Sequence, residues 1–302
     1  MVRTPTRTAV IGAVNIGLLA LVIVAVVLLA TGGTSHRRPA AAAKPGHAAI
    51  SRPAWPAPAL HDPQVIVLTS ARTNIVLNGN RDYILKLPKG KPLQAPRGLT
   101  IAGGHNVVMT GGTVNVPDKS GAALLEGQTG TIHIEGVRFT GPQLMEGFDL
   151  SESDKTTVEL ENIYVDKVHG SYTTNHADLI QTWAGPGRLL IDGLWGSTQY
   201  QGFFLLPNQH YNGPPPKLFD LRNVYINDSQ GGYALWLQTA PRVPLHVSNV
   251  QVTPNPVRTW RGWWLWPKPS TPDATWNQVV STHTAPAATH PRIASAGLYY
   301  KP

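Results

Sequence analysis

From residue 99 onward the chain repeats a short pattern, apolar-x-apolar-x-[Gly/Asn]-apolar. It occurs as VVMTGG (107–112), IHIEGV (132–137), VELENI (158–163), LLIDGL (189–194), FDLRNV (219–224) and LHVSNV (245–250). Alternating apolar residues predict a strand with one face turned inward. Gly or Asn at the fifth position predicts a corner of left-handed backbone at 111, 136, 162, 193, 223 and 249. The corners lie 25 to 31 residues apart. That is the period of a solenoid, in which each unit buries its apolar face only against its neighbours.

A second apolar segment precedes each later corner: AALLEG (122–127), GFDLSE (147–152), ADLIQT (177–182), GFFLLP (202–207), ALWLQT (234–239) and GWWLWP (262–267). Two or three short strands fill such a coil and leave no room for a helix, which excludes leucine-rich and other helix-containing solenoids. A β-propeller blade needs four strands in about 40–45 residues. The prediction is an all-β domain over 61–269, a parallel β-helix made of one chain.

Stacking the coils on Leu125, Leu150, Ile180, Leu205, Leu237 and Leu265 places Glu126, Ser151, Gln181, Leu206, Gln238 and Trp266 in an outward column. Two residues before each anchor stand Ala123, Phe148, Asp178, Phe203, Leu235 and Trp263. Asp178 is the one charged member of that row, and strict alternation would bury it, which is unfavourable for an unpaired carboxylate. Either Asp178 sits at a corner and accepts backbone N–H bonds, with His176 packed beside it, or a local bend turns it outward with Gln181 and within reach of His176.

Ahead of the repeats, residues 9–30 (AVIGAVNIGLLALVIVAVVLLA) form an apolar run with Asn15 as its one strongly polar side chain. As a helix this run is long enough to cross a bilayer core of about 30 Å. It exceeds the ~7–15 apolar residues of a cleavable signal peptide and ends without a good cleavage site. It is expected to be an uncleaved transmembrane signal anchor behind a short tail (1–8), with the C-terminal part outside the cytoplasm. Residues 31–60 are rich in Ala and Pro and read as a spacer, and 270–302 as a C-terminal cap or tail. On alternation Trp263 is expected in the core, with Trp264 and Trp266 pointing outward.

The net charge of +8 does not indicate nucleic-acid binding. Arg3, Arg7, Arg37, Arg38 and Lys44 supply most of it within the first 44 residues, and the remainder has no basic stripe interleaved with aromatics. The chain has no cysteine, so disulfides and thiol chemistry are excluded. No His/Cys or acidic pattern indicates zinc or calcium, and no metal or cofactor is expected.

The segments TNIVLNGNRDYILKLPKG and LTIAGGHNVVMTGGTVNV, with the repeats after them, resemble the first coils of the pectate-lyase-like right-handed parallel β-helix superfamily over roughly 64–268. The stretch TTNHADLIQTWAG (173–185) is also similar to the Asn-Thr-Asp-Gly-Ile-Asp signature of polygalacturonase-type glycoside hydrolases. His176 stands at the Asn, Asp178 at the catalytic Asp, Ile180 at the Ile and Gln181 at the final Asp. The following coil, GFFLLPNQH, lacks the Gly-Asp-Asp of that family, and its Gly-His-Gly and Arg-x-Lys motifs are not present.

The resemblance implies action on a polysaccharide, by either of two chemistries. Hydrolysis needs a second carboxylate at about 5 Å or 6.5–9.5 Å; Asp149, expected beside Leu179 and facing out, is the best partner, ahead of Glu152 and Glu126. The alternative for Asp149 is a solvated edge residue. Lyase or epimerase chemistry needs a base, for which His176 oriented by Asp178 is the candidate, with Gln181 binding the uronate. The loop PNQHYNGPPP (207–216) adds Gln209, His210 and Tyr211 to the expected substrate contacts, together with Trp183. The second function class is a non-catalytic cell-envelope scaffold that uses the same face to bind a glycan.

Overall fold

In the computed structural model of this chain, residues 54–210, 213–228, 231–238, 243–258, 260–268, 276 and 278–282 are described. The anchor expected over 9–30, most of the spacer, Tyr211 and most of 270–302 lie outside them. Among the described residues no helix is long and apolar enough to cross a membrane.

The described strands form two sheets, ten-stranded and eight-stranded, in which every strand pair is parallel. The chain is a right-handed-type parallel β-solenoid. The larger sheet contains the long strands Val107–Asn115, Thr131–Thr140, Thr157–Val168, Arg188–Thr198, Leu218–Asp228 and Leu245–Thr253. The smaller contains Asn74–Leu77, Leu99–Gly103, Gly121–Glu126, Glu146–Ser151, Ile180–Ala184, Phe203–Leu205, Leu235–Leu237 and Leu265–Trp266.

All six predicted corners have positive φ, from 50° at Asn223 to 78° at Gly193. Each corner reverses the phase of alternation within its long strand. In Thr157–Val168 the buried apolar residues flanking the corner are Val158 and Leu160 before Asn162, then Ile163 and Val165 after it. One long strand therefore serves two walls, and the short strand closes the third. The asparagine corners stack: Asn249 Nδ2 donates to Asn223 Oδ1 at 2.7 Å, and Asn223 Nδ2 to Asp192 Oδ1 at 2.6 Å. Replacing Asn162 (φ 51°) by valine is expected to lower stability by about 1–2 kcal/mol, because a β-branched side chain resists left-handed backbone. Asn162→Gly should stay near wild type in the same denaturant titration.

The interior is made of apolar columns that run from coil to coil. Val107, Ile132, Val158, Leu189, Phe219 and Leu245 are in register on one wall. Ala123, Phe148, Ile180, Phe203, Leu235 and Leu265 are in register on the short-strand wall. Phe139 and Phe148 meet edge-on across the interior, with ring centroids 4.9 Å apart.

Residues on either side of 61–269 contact the solenoid. Trp55, within the predicted spacer, lies on the long-strand wall: its backbone N–H donates to Glu161 Oε1 at 2.9 Å, and Arg222 sits over its ring at 4.9 Å. At the other end Val280–Ser281 pairs with Gln251–Val252 and adds a last strand. Beside it Trp276 is buried, and its Nε1 donates to the Trp266 carbonyl at 2.8 Å.

Candidate functional site

The register on the short-strand wall differs from stacking on every Leu/Ile anchor. Leu125 pairs with Leu150 and Leu205 with Leu237, as expected. Ile180, however, pairs with Phe148 and Phe203 rather than with Leu150 and Leu205, and Leu265 pairs with Leu235. A period of two leaves a two-residue slip undetermined wherever apolar residues stand at both i and i+2, as in Phe148/Leu150 and Phe203/Leu205. The slip moves Asp178 out of the row of phenylalanines. It lies two residues before Ile180, at the corner entering the strand, on the level of Glu146 below and Gln201 above. The backbone is held there by hydrogen bonds from Gly147 N–H to the Asp178 carbonyl and from Leu179 N–H to the Gly202 carbonyl, each 2.8 Å.

The position of Asp178 agrees with a corner, but its side chain does not cap one. The residue is 1% exposed, and neither carboxyl oxygen has a hydrogen-bond partner among the described residues. Burial, with the charges of Glu146 and Asp149 added to it, holds the group well above the ordinary carboxylate range, so it is neutral. Nor does it orient His176. The imidazole Nε2 lies 3.2 Å from the Tyr172 carbonyl, and the ring stacks on Tyr172 at 5.7 Å and tilts against Tyr200 at 5.3 Å. No hydrogen bond joins His176 to Asp178 among the described residues. The Tyr200 hydroxyl is also pushed up, by burial and then by the adjacent Asp178.

Asp149 is in register with Gln181, not Leu179, and is buried rather than a solvated edge residue. Its carboxyl is raised to about 9 by burial and by the adjacent Glu146, and its Oδ1 has no hydrogen-bond partner among the described residues. Glu146 is half-buried and stands three residues earlier on the same strand. Gly121 pairs with Glu146 in the preceding coil. A Cβ there would come 3.6 Å from Asp149 Oδ2 and 3.8 Å from Glu146 Oε2, so the absent side chain leaves room beside both carboxyls. Glu146 was not among the expected site residues. Its signal in the sequence was an acid one residue ahead of GFDLSE, which carries weight only once the register is known.

The other acids considered as partners serve elsewhere. Glu152 accepts the Gln128 N–H at 3.0 Å, and burial raises it to about 8. Glu126 is exposed. Of the residues expected to contact substrate, Gln181 is in register with Asp149. Gln181 Nε2 donates to Gln209 Oε1 at 3.3 Å, His210 N–H donates to the Trp183 carbonyl at 2.8 Å, and the two rings meet edge-on at 6.4 Å.

Beyond Gln181 the outward column continues as Phe204, Trp236 and Trp266. Phe204 and Trp236 are 4.8 Å apart at 71°, and Trp236 and Trp266 6.4 Å apart at 62°, with Tyr233 beside both indoles. The rings meet at steep angles, the edge of one against the face of the next. Trp266 points outward as expected, but Trp264 is buried and Trp263 exposed, the reverse of the prediction. Arg261–Trp263 forms a 3-10 turn, so strand alternation does not reach these residues.

A second polar cluster was not anticipated. On a long-strand wall His133 is wholly buried, 2.8 Å from Glu159 and 3.6 Å from Glu135. Burial opposes its charge, but the nearby Glu135 and the hydrogen bond to Glu159 outweigh it and raise the imidazole to about 9. Trp55 covers the neighbouring Glu161, which burial raises to about 7. These residues belong to the repeats that predict the strands, and nothing in the sequence marks them as a cluster until adjacent coils are superposed.

No group of three or more His, Cys, Asp or Glu placed to hold a metal ion occurs among the described residues. No protein family, no curated protein and no solved structure matches the chain.

Proposed function

We propose that the short-strand wall binds and hydrolyses a polysaccharide, with Asp149 as general acid and Glu146 as its carboxylate partner. The observation that carries this is the buried Asp149, its carboxyl raised to about 9 beside Glu146, in line with a column of outward aromatic rings. A protonated carboxyl at neutral pH can donate its proton to a glycosidic oxygen as the bond to the anomeric carbon breaks. The partner carboxyl group would attack that carbon if about 5 Å away, or draw a proton from the attacking water if about 6.5–9.5 Å away. Asp178 is a positioning residue: buried and neutral, it keeps a further negative charge away from the pair.

Hydrolysis fits better than elimination. His176 is turned to the Tyr172 carbonyl, and among the described residues no cation lies beside the pair to neutralise a uronate. The weak likeness to polygalacturonase-type hydrolases around Asp178, and the wider one to pectate-lyase-like β-helices, support the same class. With residues 9–30 as a signal anchor, the domain would stand outside the cytoplasm, attached to the membrane and facing cell-envelope glycans.

The test is release of new reducing ends from a polysaccharide panel by the full chain. Asp149→Asn should lower kcat at least about 100-fold with an unchanged circular dichroism spectrum, and activity should fall as pH rises through about 9, where Asp149 ionises. If Asp149→Asn turns over like the wild type, the assignment fails. If glycan is bound but no ends are released, the wall serves binding alone, as in the scaffold alternative.

A further inference from the structure

Taking the polysaccharide reading of this wall as its basis, we infer that the glycan is built of neutral sugars and is not a polyuronate. The outward column Asp149, Gln181, Phe204, Trp236 and Trp266 is one straight line across five coils. Four coil steps span roughly 19 Å, so an extended oligosaccharide lying along the solenoid axis would meet all five positions. What it meets is acid at one end and aromatic rings along the rest. Aromatic faces match the apolar C–H faces of sugar rings, and amide and carboxyl groups match hydroxyls.

To a polyanion this wall offers carboxyl groups and, among the described residues of the column, no cation. Glu126, Glu146, Asp149 and Asp178 lie on it or at its corner. The described cations near it are placed otherwise. Arg258 donates from Nη1 to the Gly232 carbonyl, Lys268 lies over the Trp260 ring at 5.5 Å, and Lys119 is exposed in the turn before Gly121. None stands in the column. A uronate chain would bring a carboxylate at every residue to a wall that offers only neutral or negative partners for it, and each would have to shed water without compensation.

The second row of outward aromatics, on the opposite side of the corner, does not compete for the glycan. Tyr164 and Trp195 stack flat on each other at 4.6 Å and 4°, with Arg138 over Tyr164 at 4.9 Å, so their faces are already covered.

Retention of the full chain should be measured by affinity electrophoresis in gels containing β-glucan, xylan, mannan or galactan, and in gels containing polygalacturonate, alginate or hyaluronate, at low salt. At least one neutral polymer is expected to retain the protein at least about 10-fold more strongly than every acidic one, and Trp236→Ala and Trp266→Ala should abolish that retention. Equal or stronger retention by an acidic polymer, lost in the same variants, would overturn the inference and leave the polysaccharide site standing. Retention by no polymer, or retention indifferent to both tryptophans, would overturn the site itself.

Discussion

The midpoint of thermal unfolding is expected to rise as pH falls from 8 to 5. Asp149, Glu152 and Asp178 are buried and hold their protons in the folded chain, at about 9, about 8 and well above the ordinary value. In the unfolded chain they ionise near 4. Between those limits the folded state binds the extra protons, so stability declines as pH rises, by about 1.4 kcal/mol per pH unit for each group. Glu161 adds to the trend up to about 7. His133, raised to about 9, acts in the same direction: its contribution is complete below about 6.5 and is lost as pH climbs through 9.

Asp82 and Asp220 act oppositely. Burial works against their charge, but Asp82 is held low by hydrogen bonds from His61, Asn106 and His105, and Asp220 by Arg222 and His246. Their stabilisation is present above about 4 and disappears in stronger acid. The maximum should therefore lie near pH 4–5. One buried carboxyl carried from pH 5 to 7 changes stability by about 3 kcal/mol, roughly 6–12 °C for a domain of this size. Asp178→Asn, which cannot ionise, should leave the melting point in mild acid unchanged and make it fall less steeply as pH rises. A corner-capping Asp178 would give the reverse, a lower midpoint at neutral pH.

The corners and the interior were legible in the sequence because their residue types are dictated by backbone conformation and by burial. Gly or Asn at 111, 136, 162, 193, 223 and 249 marks left-handed backbone, and each strand around them alternates about that point. The candidate site was legible only in part. His176, Asp178, Asp149 and Gln181 do share one end of the short-strand wall, yet their mutual geometry depends on a two-residue register that the apolar pattern leaves open. Setting Ile180 beside Phe148 makes Asp149 the neighbour of Gln181 and brings Glu146 level with Asp178. Burial of charged groups was also hidden, since Asp149 and Asp178 carry the same letter as a solvated surface acid. The Trp263/Trp264 inversion has a similar cause: a single 3-10 turn interrupts the period on which the assignment relied.

Phe148→Ala is expected to destabilise the solenoid by about 3–5 kcal/mol. Its ring is wholly buried, in register between Ala123 and Ile180, and meets Phe139 edge-on at 4.9 Å. Ala123 on one side offers no bulk to fill the space, so the cavity should persist and the full deletion penalty should appear. Phe148→Leu, which retains most of the volume, should lose less than half as much in the same denaturant titration. A Phe148→Ala variant within about 1 kcal/mol of wild type would mean that this residue does not face the interior and that its neighbour Asp149 does not face the site.

The register of Ile180 is the central claim, and the absence of native cysteines allows it to be read directly. In the structure Gln181 is level with Phe204 and one alternation away from Leu206. Adjacent strands are about 4.8 Å apart, within the Cα separation of about 4.4–6.8 Å that a disulfide usually spans. The pair Gln181→Cys with Phe204→Cys should therefore cross-link readily under mild oxidation, and the pair Gln181→Cys with Leu206→Cys should remain reduced. The opposite outcome would set Ile180 beside Leu205, return Asp178 to the row of phenylalanines and dissolve the carboxyl cluster.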